Sequence, residues 1–381
     1  MDFEFTQEQQ QFSDALRRWM EKDYTFEHRK KILHSETGVS SEAWSTLAEL
    51  GMTALPVPEE QGGFNGSAVD MMVVMKEIGR GLVVEPYLAT ALGAQFLKLA
   101  GKQETLLEQV ATGELKLAAA LGEKQARFDL FDITTTAAAA AGGDGYVLNG
   151  TKVVVIHGGQ ADQLIVSARS SGAQRDTSGI SLFLVPANAA GVNRRDYRTI
   201  DGQRAADIRF ENVQVPASAL LGAAGEGWEI LDAAADYGVT LLCAEAIGAM
   251  EALNASTLEY LKTRQQFGVP IGKFQALQHR MAEMFMQYQQ ASSMATLAAV
   301  KVASGDAVER RRTVSAAKAR VGQAARFVGQ QAVQLHGGMG VTDELPAAHH
   351  FKRLTMIEQT LGDTDYHLAR FVAQPGFSQA A

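Results

Sequence analysis

The stretch RQQFGVPIGKFQALQH (residues 264–279) joins two long helical patterns and decides the fold of this chain. It places Arg264 and Phe267 ahead of a turn that contains glycine and proline. An arginine at such a turn suits an anionic ligand, because charge-assisted hydrogen bonds to phosphate oxygens are strong. Taken alone, Arg264 could also be an ordinary surface charge.

A second stretch, QLHGGMG (residues 334–340), ends another helical pattern with Gln334 and the pair Gly337–Gly338. Glycine pairs let the backbone approach a ligand closely. Free backbone N–H groups beside a cation such as Arg264 suit a pyrophosphate. Taken alone, the pair is also explained by a glycine cap at a helix C-terminus.

The hydrophobic pattern divides the chain into three blocks. Residues 1–115 predict helices, one of which carries Phe12, Leu16 and Met20 at spacings of four on an apolar stripe. Residues 116–225 hold short β-rich runs bounded by Gly, Asn, Asp and Pro, which predict an antiparallel sandwich or barrel. Residues 226–381 return to long, alanine-rich helical patterns that predict close helix packing. The predicted fold class is therefore α+β, mostly α.

Composition excludes several classes of function. The net charge of −8 argues against a nucleic-acid-binding protein, which needs a clustered basic face. The single cysteine, Cys243, cannot form an internal disulfide, and no apolar run reaches the length of a membrane span. The start MDFEF carries acids where a signal peptide carries positive charge. We therefore expect a cytoplasmic protein without membrane insertion.

Along essentially its whole length the chain resembles the acyl-CoA dehydrogenase family of flavoproteins. The matching elements are RQQFGVPIGKFQALQHRMAEM, QLHGGMGVTDELPAAHHFKRL and RFENVQVPASALLGAAGEGW. The resemblance implies an N-terminal α-helical domain, a middle β-barrel and a C-terminal four-helix bundle, assembled as a tetramer. It also implies an acyl-CoA substrate and an electron-transfer flavoprotein or similar acceptor. Within the family, the ending LGDTDYHLAR is most similar to small subunits of the pimeloyl-CoA dehydrogenase type.

The resemblance further implies FAD bound between subunits. Carried over position by position, Arg264 and Phe267 would lie against the FAD of a neighbouring subunit. Gln334, Gly337 and Gly338 would line its pyrophosphate from the partner side. An anionic pyrophosphate beside an arginine and free backbone N–H groups is a favourable arrangement.

The catalytic base of the family is missing at both of its usual positions. The reaction removes an α-proton while a hydride leaves the β-carbon, so a carboxylate must stand close to Cα. The usual Glu-Gly-Thr ending reads Leu361, Gly362 and Asp363 here, and the alternative position on the first bundle helix is Gly238. Two further departures are Val239, where the family has an arginine, and the run VVIH at 154–157, where the flavin ring usually meets Trp-Ile-Thr/Ser-Asn.

Three acids could replace the base. Glu245 has only apolar helical neighbours three and four residues away, so it is either paired or a site residue, and an ion pair to a neighbouring helix is the favoured alternative. Asp363 could reach the flavin edge, or it could cap the helix that follows it. Asp236 lies near the second base position, but Asp232 one turn earlier predicts a solvated edge. No histidine has a spacing that indicates a metal site.

Three hypotheses follow from these residues. The first is the small subunit of a hetero-oligomeric FAD-dependent acyl-CoA dehydrogenase, acting on dicarboxylic or steroid side-chain acyl groups, whose partner supplies the base. The second is a self-sufficient homotetramer with Glu245 or Asp363 as an atypical base. The third is a scaffold that binds acyl-CoA or flavin and catalyses nothing. We place the paired-subunit enzyme first, because losing a general base costs a factor of ~10²–10⁴ in rate.

Overall fold

The computed structural model of the chain describes residues 6–140 and 142–375. The acids of the chain start, Asp2 and Glu4, lie outside the described residues. The helices are α1 (Gln7–Lys22), α2 (Phe26–Leu33), α3 (Ser41–Glu49), α4 (Ala68–Gly81), α5 (Tyr87–Ala100), α6 (Glu104–Ala111), α7 (Trp228–Thr263), α8 (Gln275–Lys301), α9 (Ala307–His336), α10 (Pro346–Gln359) and α11 (Thr364–Val372). The strands are β1 (Leu117–Ala120), β2 (Thr136–Ala139), β3 (Gly145–Ile156), β4 (Gln163–Arg169), β5 (Ile180–Pro186), β6 (Val192–Arg198), β7 (Arg204–Pro216), β8 (Leu220–Leu221), β9 (Gln265–Gln266) and β10 (Val269–Pro270).

The order of helices, strands and long helices is the fold class that the sequence predicts. By its backbone contacts the chain divides into two compact units, and the division falls within α7 after Gly238. One unit, called the sheet unit here, comprises Ile32–Ser67 and Val84–Gly238. The other, called the helical unit, comprises residues 6–31, Ala68–Val83 and residues 239–375.

The sheet unit is built on one eight-stranded sheet. Its strands lie in the order β6-β7-β3-β2-β4-β5-β8, and β1 pairs with β4. Most pairs are antiparallel, but β1 and β2 both run parallel to β4, so the sheet is mixed rather than purely antiparallel. Strand direction depends on the path of the connections, which alternating residues within a strand do not encode. The core of the sheet is formed by buried side chains that include Leu148, Phe183 and Ile208.

The helical unit is organised around three long helices, α7, α8 and α9. Helix α9 packs against α8, α10 and α11, and α4 packs against α1 and α8. A Cβ on Gly79 of α4 would lie 1.9 Å from the Glu245 carbonyl oxygen, and one on Gly248 of α7 would lie 1.7 Å from that of Lys76. Only glycine therefore permits this crossing of α4 and α7. The crossing places the backbone of Glu245 directly against α4.

Local capping sets where several helices begin. Thr6 and Gln9 form a reciprocal capping box at α1, and Asp306 accepts hydrogen bonds from two backbone N–H groups at the start of α9. Such caps satisfy N–H groups that a helix leaves unpaired in its first turn. Of the predicted apolar stripe in α1, Leu16 and Met20 are buried and Phe12 is partly buried.

Candidate functional site

Arg264 and Phe267 lie on a short hairpin between α7 and α8. Strands β9 and β10 pair antiparallel, and the two residues that join them, Phe267 and Gly268, both have positive φ values of 55° and 77°. This is the geometry of a type I′ turn, the tightest connection for a hairpin. It leaves the Phe267 side chain 91% exposed, with Arg264 exposed beside it. The hairpin therefore presents an aromatic ring and a cation outward.

Helix α9 ends at His336, where the glycine pair begins. Gly337 has φ 60° and ψ −139°, a conformation that residues with a Cβ rarely adopt. A Cβ added at Gly337 or Gly338 would meet nothing within 4 Å, and Gln334 is exposed. Space is therefore open beside the backbone at this helix end, and the Gly337 N–H itself donates to the Gln334 carbonyl.

The structure brings the hairpin and the glycine pair to one end of the helical unit. The backbone N–H of Arg264 donates to the Tyr260 carbonyl at 2.8 Å. The Tyr260 ring lies 4.6 Å, centroid to centroid, from the imidazole of His336, which directly precedes Gly337. His336 also has Nδ1 2.8 Å from the Ala332 carbonyl, so its role is packing at this junction.

The loop at residues 358–362 is held by a buried lysine of α9. The ammonium of Lys318 donates to the carbonyl oxygens of Glu358 at 3.0 Å, of Thr360 at 2.9 Å and of Gly362. Burial lowers the pKa of Lys318 to about 8, against the attraction of Cys243, Glu358 and Asp363. Leu361, at the family's base position, has φ 56°, a strained value for a residue with a branched side chain. The ammonium therefore stabilises a loop that its own residues do not favour.

Asp363 ends this loop as the N-cap of α11. Its Oδ1 accepts from the Tyr366 backbone N–H at 2.8 Å. Glu358 supports the same helix start, because its Oε1 accepts from the Thr364 N–H at 3.1 Å and from Arg326 at 3.0 Å. Both carboxylates are buried. The acidic segment from Glu358 to Asp363 is thus a buried junction between two helices. Of the two roles considered for Asp363, a helix cap or a flavin contact, the structure contains the capping hydrogen bond.

Asp363 is far from the other predicted cofactor residues within this chain. Its loop is held at Lys318, and the glycine pair begins at Gly337, nineteen residues further along α9. At 1.5 Å per residue this is a separation of about 29 Å along the helix axis. No single pyrophosphate can contact both places on one chain.

Glu245 lies in a buried ion pair with Arg353 of α10. Nε of Arg353 donates to Oε1 at 2.6 Å and a terminal nitrogen to Oε2 at 2.7 Å, a bidentate arrangement. Both side chains are almost completely buried. The structure therefore contains the ion pair to a neighbouring helix that the sequence favoured for Glu245.

The remaining predicted positions lie in the sheet unit. Asp232 and Asp236 are buried at 5% and 1% exposure, so the predicted solvated edge is wrong. A charge at a helical position does not by itself make that face solvated when the surrounding helix is buried.

Val154 is half exposed, whereas His157 is buried with Nε2 2.8 Å from the Gln203 side-chain oxygen. Gly238 is buried.

Lys318 and Arg353 are not among the residues that the sequence predicts for the site. Lys318 does carry a signal like that of Glu245, because three of its four helical neighbours three and four residues away are Val314, Val321 and Gly322, and the fourth is the small residue Ser315. A cation on an apolar helical face needs a partner in the fold. Arg353 offered a weaker signal, since its neighbours include two histidines.

We expect the chain to lose stability below pH 6.5, partly through His367. Burial lowers the pKa of His367 to about 3, and the cations Lys318 and Arg370 lower it further, whereas the carbonyl of Leu361 raises it. The folded chain therefore binds fewer protons than the unfolded chain between pH 3 and 6.5, and its unfolding free energy falls as pH falls. From pH 6.5 to 5 the loss is on the order of 2 kcal/mol for this group. Urea unfolding at both pH values measures it.

The control for this pH effect is His279, an exposed histidine of α8. His367→Gln should reduce the difference in unfolding free energy between the two pH values. His279→Gln should leave it unchanged, and equal pH dependence in the two variants would contradict the assignment.

Within residues 6–140 and 142–375, no group of three or more His, Cys, Asp and Glu side chains is placed to hold a metal ion. Over the same residues, none of the helices combines the length and apolar character needed to cross a membrane.

Comparison with known proteins identifies similar chains along the whole length. Profiles of the N-terminal, middle and C-terminal domains of acyl-CoA dehydrogenases match residues 6–114, 118–213 and 225–374. The probable acyl-CoA dehydrogenase YngJ of Bacillus subtilis (strain 168) is 30% identical over 98% of both chains. The FAD complex of PigA superposes with a TM-score of 0.89 at 25% identity, covering 99% of this chain and 100% of that one. The ChsE4-ChsE5 complex from Mycobacterium tuberculosis gives 0.87 at 26% identity, covering 97% of each chain.

Proposed function

Because the chain belongs to the acyl-CoA dehydrogenase family of FAD-dependent oxidoreductases, we propose that it is the small subunit of a hetero-oligomeric acyl-CoA dehydrogenase of the pimeloyl-CoA type. In this proposal a larger partner subunit supplies the catalytic base. Members of the family bind FAD, as the FAD complex of PigA illustrates, and one similar structure is a complex of ChsE4 with ChsE5. The substrate class is a dicarboxylic or steroid side-chain acyl-CoA thioester.

The observation that carries the proposal is the separation of two half-sites on one chain. The hairpin and glycine pair lie at one end of α9, about 29 Å along its axis from the loop that holds Leu361 and Asp363. A cofactor that needs both kinds of contact must take them from two chains. An arrangement in which this chain contributes one half-site to a partner's FAD accounts for the separation.

The pyrophosphate side of FAD fits the residues present. Arg264 would bind the pyrophosphate through its guanidinium, and the absence of side chains at Gly337 and Gly338 would let the cofactor approach this helix end closely. The Gly337 N–H already donates to the Gln334 carbonyl. The exposed Phe267 would pack against the cofactor. On the ring side, His157 is buried and its Nε2 lies 2.8 Å from the Gln203 side-chain oxygen, so that nitrogen is already engaged within the chain. The chemistry that FAD supplies when bound is acceptance of the hydride from the β-carbon.

The base is assigned to the partner because the acids of this chain have other roles. Glu245 pairs with Arg353 through two hydrogen bonds, and Asp363 caps α11. Leu361 and Gly238, at the two family base positions, cannot accept a proton. Within the complex this chain would bind the cofactor's phosphates and exclude water, while α-proton removal takes place on the partner's carboxylate.

The test is a visible absorption spectrum of this chain purified alone and of its complex with a larger acyl-CoA dehydrogenase subunit. Each sample is measured before and after anaerobic addition of an acyl-CoA panel that includes pimeloyl-CoA. We expect the chain alone to show no bleaching, and the complex to carry one FAD per pair of subunits and to bleach. Flavin that bleaches in the chain alone would overturn the proposal in favour of a self-sufficient enzyme. A flavin-free complex would instead favour a scaffold.

Arg264→Ala should weaken FAD binding to the complex by about tenfold to 100-fold, because it removes a charge-assisted contact with the pyrophosphate. Equilibrium dialysis of FAD against the flavin-depleted complex measures this change. The matched control is Arg195→Ala, which removes an exposed arginine of β6. An equal loss in both variants would show only a general effect of net charge.

A further inference from the structure

Helix α8 has one side packed within the helical unit and one side turned outward. It packs against α4 and α9, and the side chains buried there include Met284, Ala291 and Ala295. The residues on the opposite side recur at spacings of three and four along the helix. We call them the α8 stripe, and they are Ala282, Met286, Gln289, Ser293, Thr296 and Val300.

Large apolar side chains are exposed on and beside this stripe. Met286 is 53% exposed and Val300 46%, and their neighbours Phe285 and Leu297 are 56% and 43% exposed. They extend over about 22 Å of the helix axis. The outward face of a helix in a monomer is usually charged or polar, yet the six stripe positions, all within the described part of the chain, include no Asp, Glu, Lys or Arg. Such a surface indicates a contact with another protein surface.

The charged residues of α8 lie at its flanks. Arg280 donates to the Gln331 side-chain oxygen at 2.6 Å, and the ammonium of Lys301 lies 2.7 Å from the Glu309 carboxylate, so both are engaged with α9. Glu283 is about a quarter turn round the helix from the centre of the stripe. The stripe therefore fits a partner surface that is uncharged and partly apolar, as it is itself.

The stripe is self-complementary when two copies of the helix run antiparallel. Val300 and Met286 lie seven residues on either side of Ser293, and Leu297 and Gln289 lie four residues on either side. A twofold axis at Ser293 therefore places Met286 of one copy against Val300 of the other, the reciprocal pattern of a contact between identical chains. The serine at the axis is small and exposed, which lets the helices approach closely. The spacing of three and four residues is that of helices that pack along their length.

We propose that the α8 stripe is a contact between two copies of this chain, packed antiparallel about a twofold axis near Ser293. A helix of 27 residues is about 40 Å long and about 10 Å wide, so α8 alone would bury about 800 Å² over both copies. That area is at the low end of specific interfaces, and we expect association in the micromolar range. The contact uses neither the flavin half-site nor a larger subunit, so it stands or falls separately from the proposed function.

Charge-swap variants at the axis test the contact. Sedimentation velocity of the full chain, with whatever flavin it carries, should show self-association of the wild type at micromolar concentrations. Ser293→Lys and Ser293→Glu each bring like charges together at the axis, so each should weaken association at least tenfold. An equimolar mixture of the two variants should associate at least as tightly as the wild type, because opposite charges then meet. Only a contact in which residue 293 of one copy faces residue 293 of another predicts this recovery.

The matched control is Ser256, an exposed serine of α7. Its hydroxyl donates to a backbone carbonyl of its own helix, as that of Ser293 does. Ser256→Lys and Ser256→Glu should associate as the wild type does, and circular dichroism verifies that all four variants are folded. A wild type that stays monomeric, Ser293 variants that associate like the Ser256 variants, or a mixture no tighter than its components would each overturn the proposal.

Discussion

Arg353→Met is expected to lower the free energy of unfolding by about 3–5 kcal/mol, because it leaves the Glu245 carboxylate buried without its partner. The pair is bidentate and both side chains are almost fully buried, so water cannot replace the lost contacts. Urea or guanidinium unfolding of the purified variant measures the loss.

Two controls make the Arg353 result specific. Lys352→Met removes the neighbouring cation, whose partner Asp343 is mostly exposed, and a surface pair of that kind contributes about 0–1 kcal/mol. The double variant Glu245→Leu/Arg353→Met replaces the whole pair with apolar side chains and should recover most of the stability. If Arg353→Met is as mild as Lys352→Met, the pair is not the buried contact described here.

One further variant of the Glu245–Arg353 pair tests whether Glu245 has a catalytic role. Glu245→Gln keeps the shape of the side chain but cannot act as a general base. If Glu245 is structural, the complex with the partner subunit should retain its turnover after correction for the folded fraction. A loss of ~10²-fold or more at full folding would instead identify Glu245 as the base and favour the self-sufficient enzyme.

Lys318→Met is expected to lower the unfolding free energy by on the order of 3 kcal/mol, because three backbone carbonyls lose their ammonium donor. The loop that holds Leu361 at positive φ should then open locally before the chain unfolds. In the native loop the Thr364 amide donates a hydrogen bond to Glu358, and the Tyr366 amide donates one to Asp363. Hydrogen exchange at these two amides should accelerate more than exchange in α8.

A pH signature distinguishes the Lys318 contact from simple loss of packing. The pKa of Lys318 is about 8 in the folded chain, below the ordinary value of 10.5. At Lys318 the folded chain therefore binds fewer protons than the unfolded chain between those values, so this group adds to the unfolding free energy as pH rises across them. The buried Lys152, whose pKa burial also lowers to about 8, makes a second contribution of the same sign. Lys318→Met should therefore make the pH dependence between 8 and 10.5 less positive than in the wild type, whereas Lys301→Met, at a half-exposed pair with Glu309, should leave it unchanged. Equal pH dependence in Lys318→Met and Lys301→Met would contradict the assignment.

Much of the candidate site could be predicted because its signals are local in sequence. The Phe267–Gly268 turn, the glycine pair after α9 and the capping aspartate before α11 each depend on residues a few positions apart. Backbone conformation and capping act over that range, so a single sequence carries them. The order of helical and β-rich blocks is similarly local, since it follows from the spacing of apolar residues.

The amino-acid sequence by itself predicted the fold class and a turn that follows Arg264 between two long helices. The resemblance to the family added the prediction that both usual base positions, Leu361 and Gly238, lack an acid. Only the tertiary structure decided that Glu245 pairs with Arg353, 108 residues away, and that Lys318 caps carbonyls 40 to 44 residues further along. It also buried Asp232 and Asp236, which the sequence placed at a solvated edge. The physical reason is that a buried charge is stabilised by whichever opposite charge or dipole the packed helices bring within contact distance. That partner depends on how distant segments pack, which local periodicity does not specify.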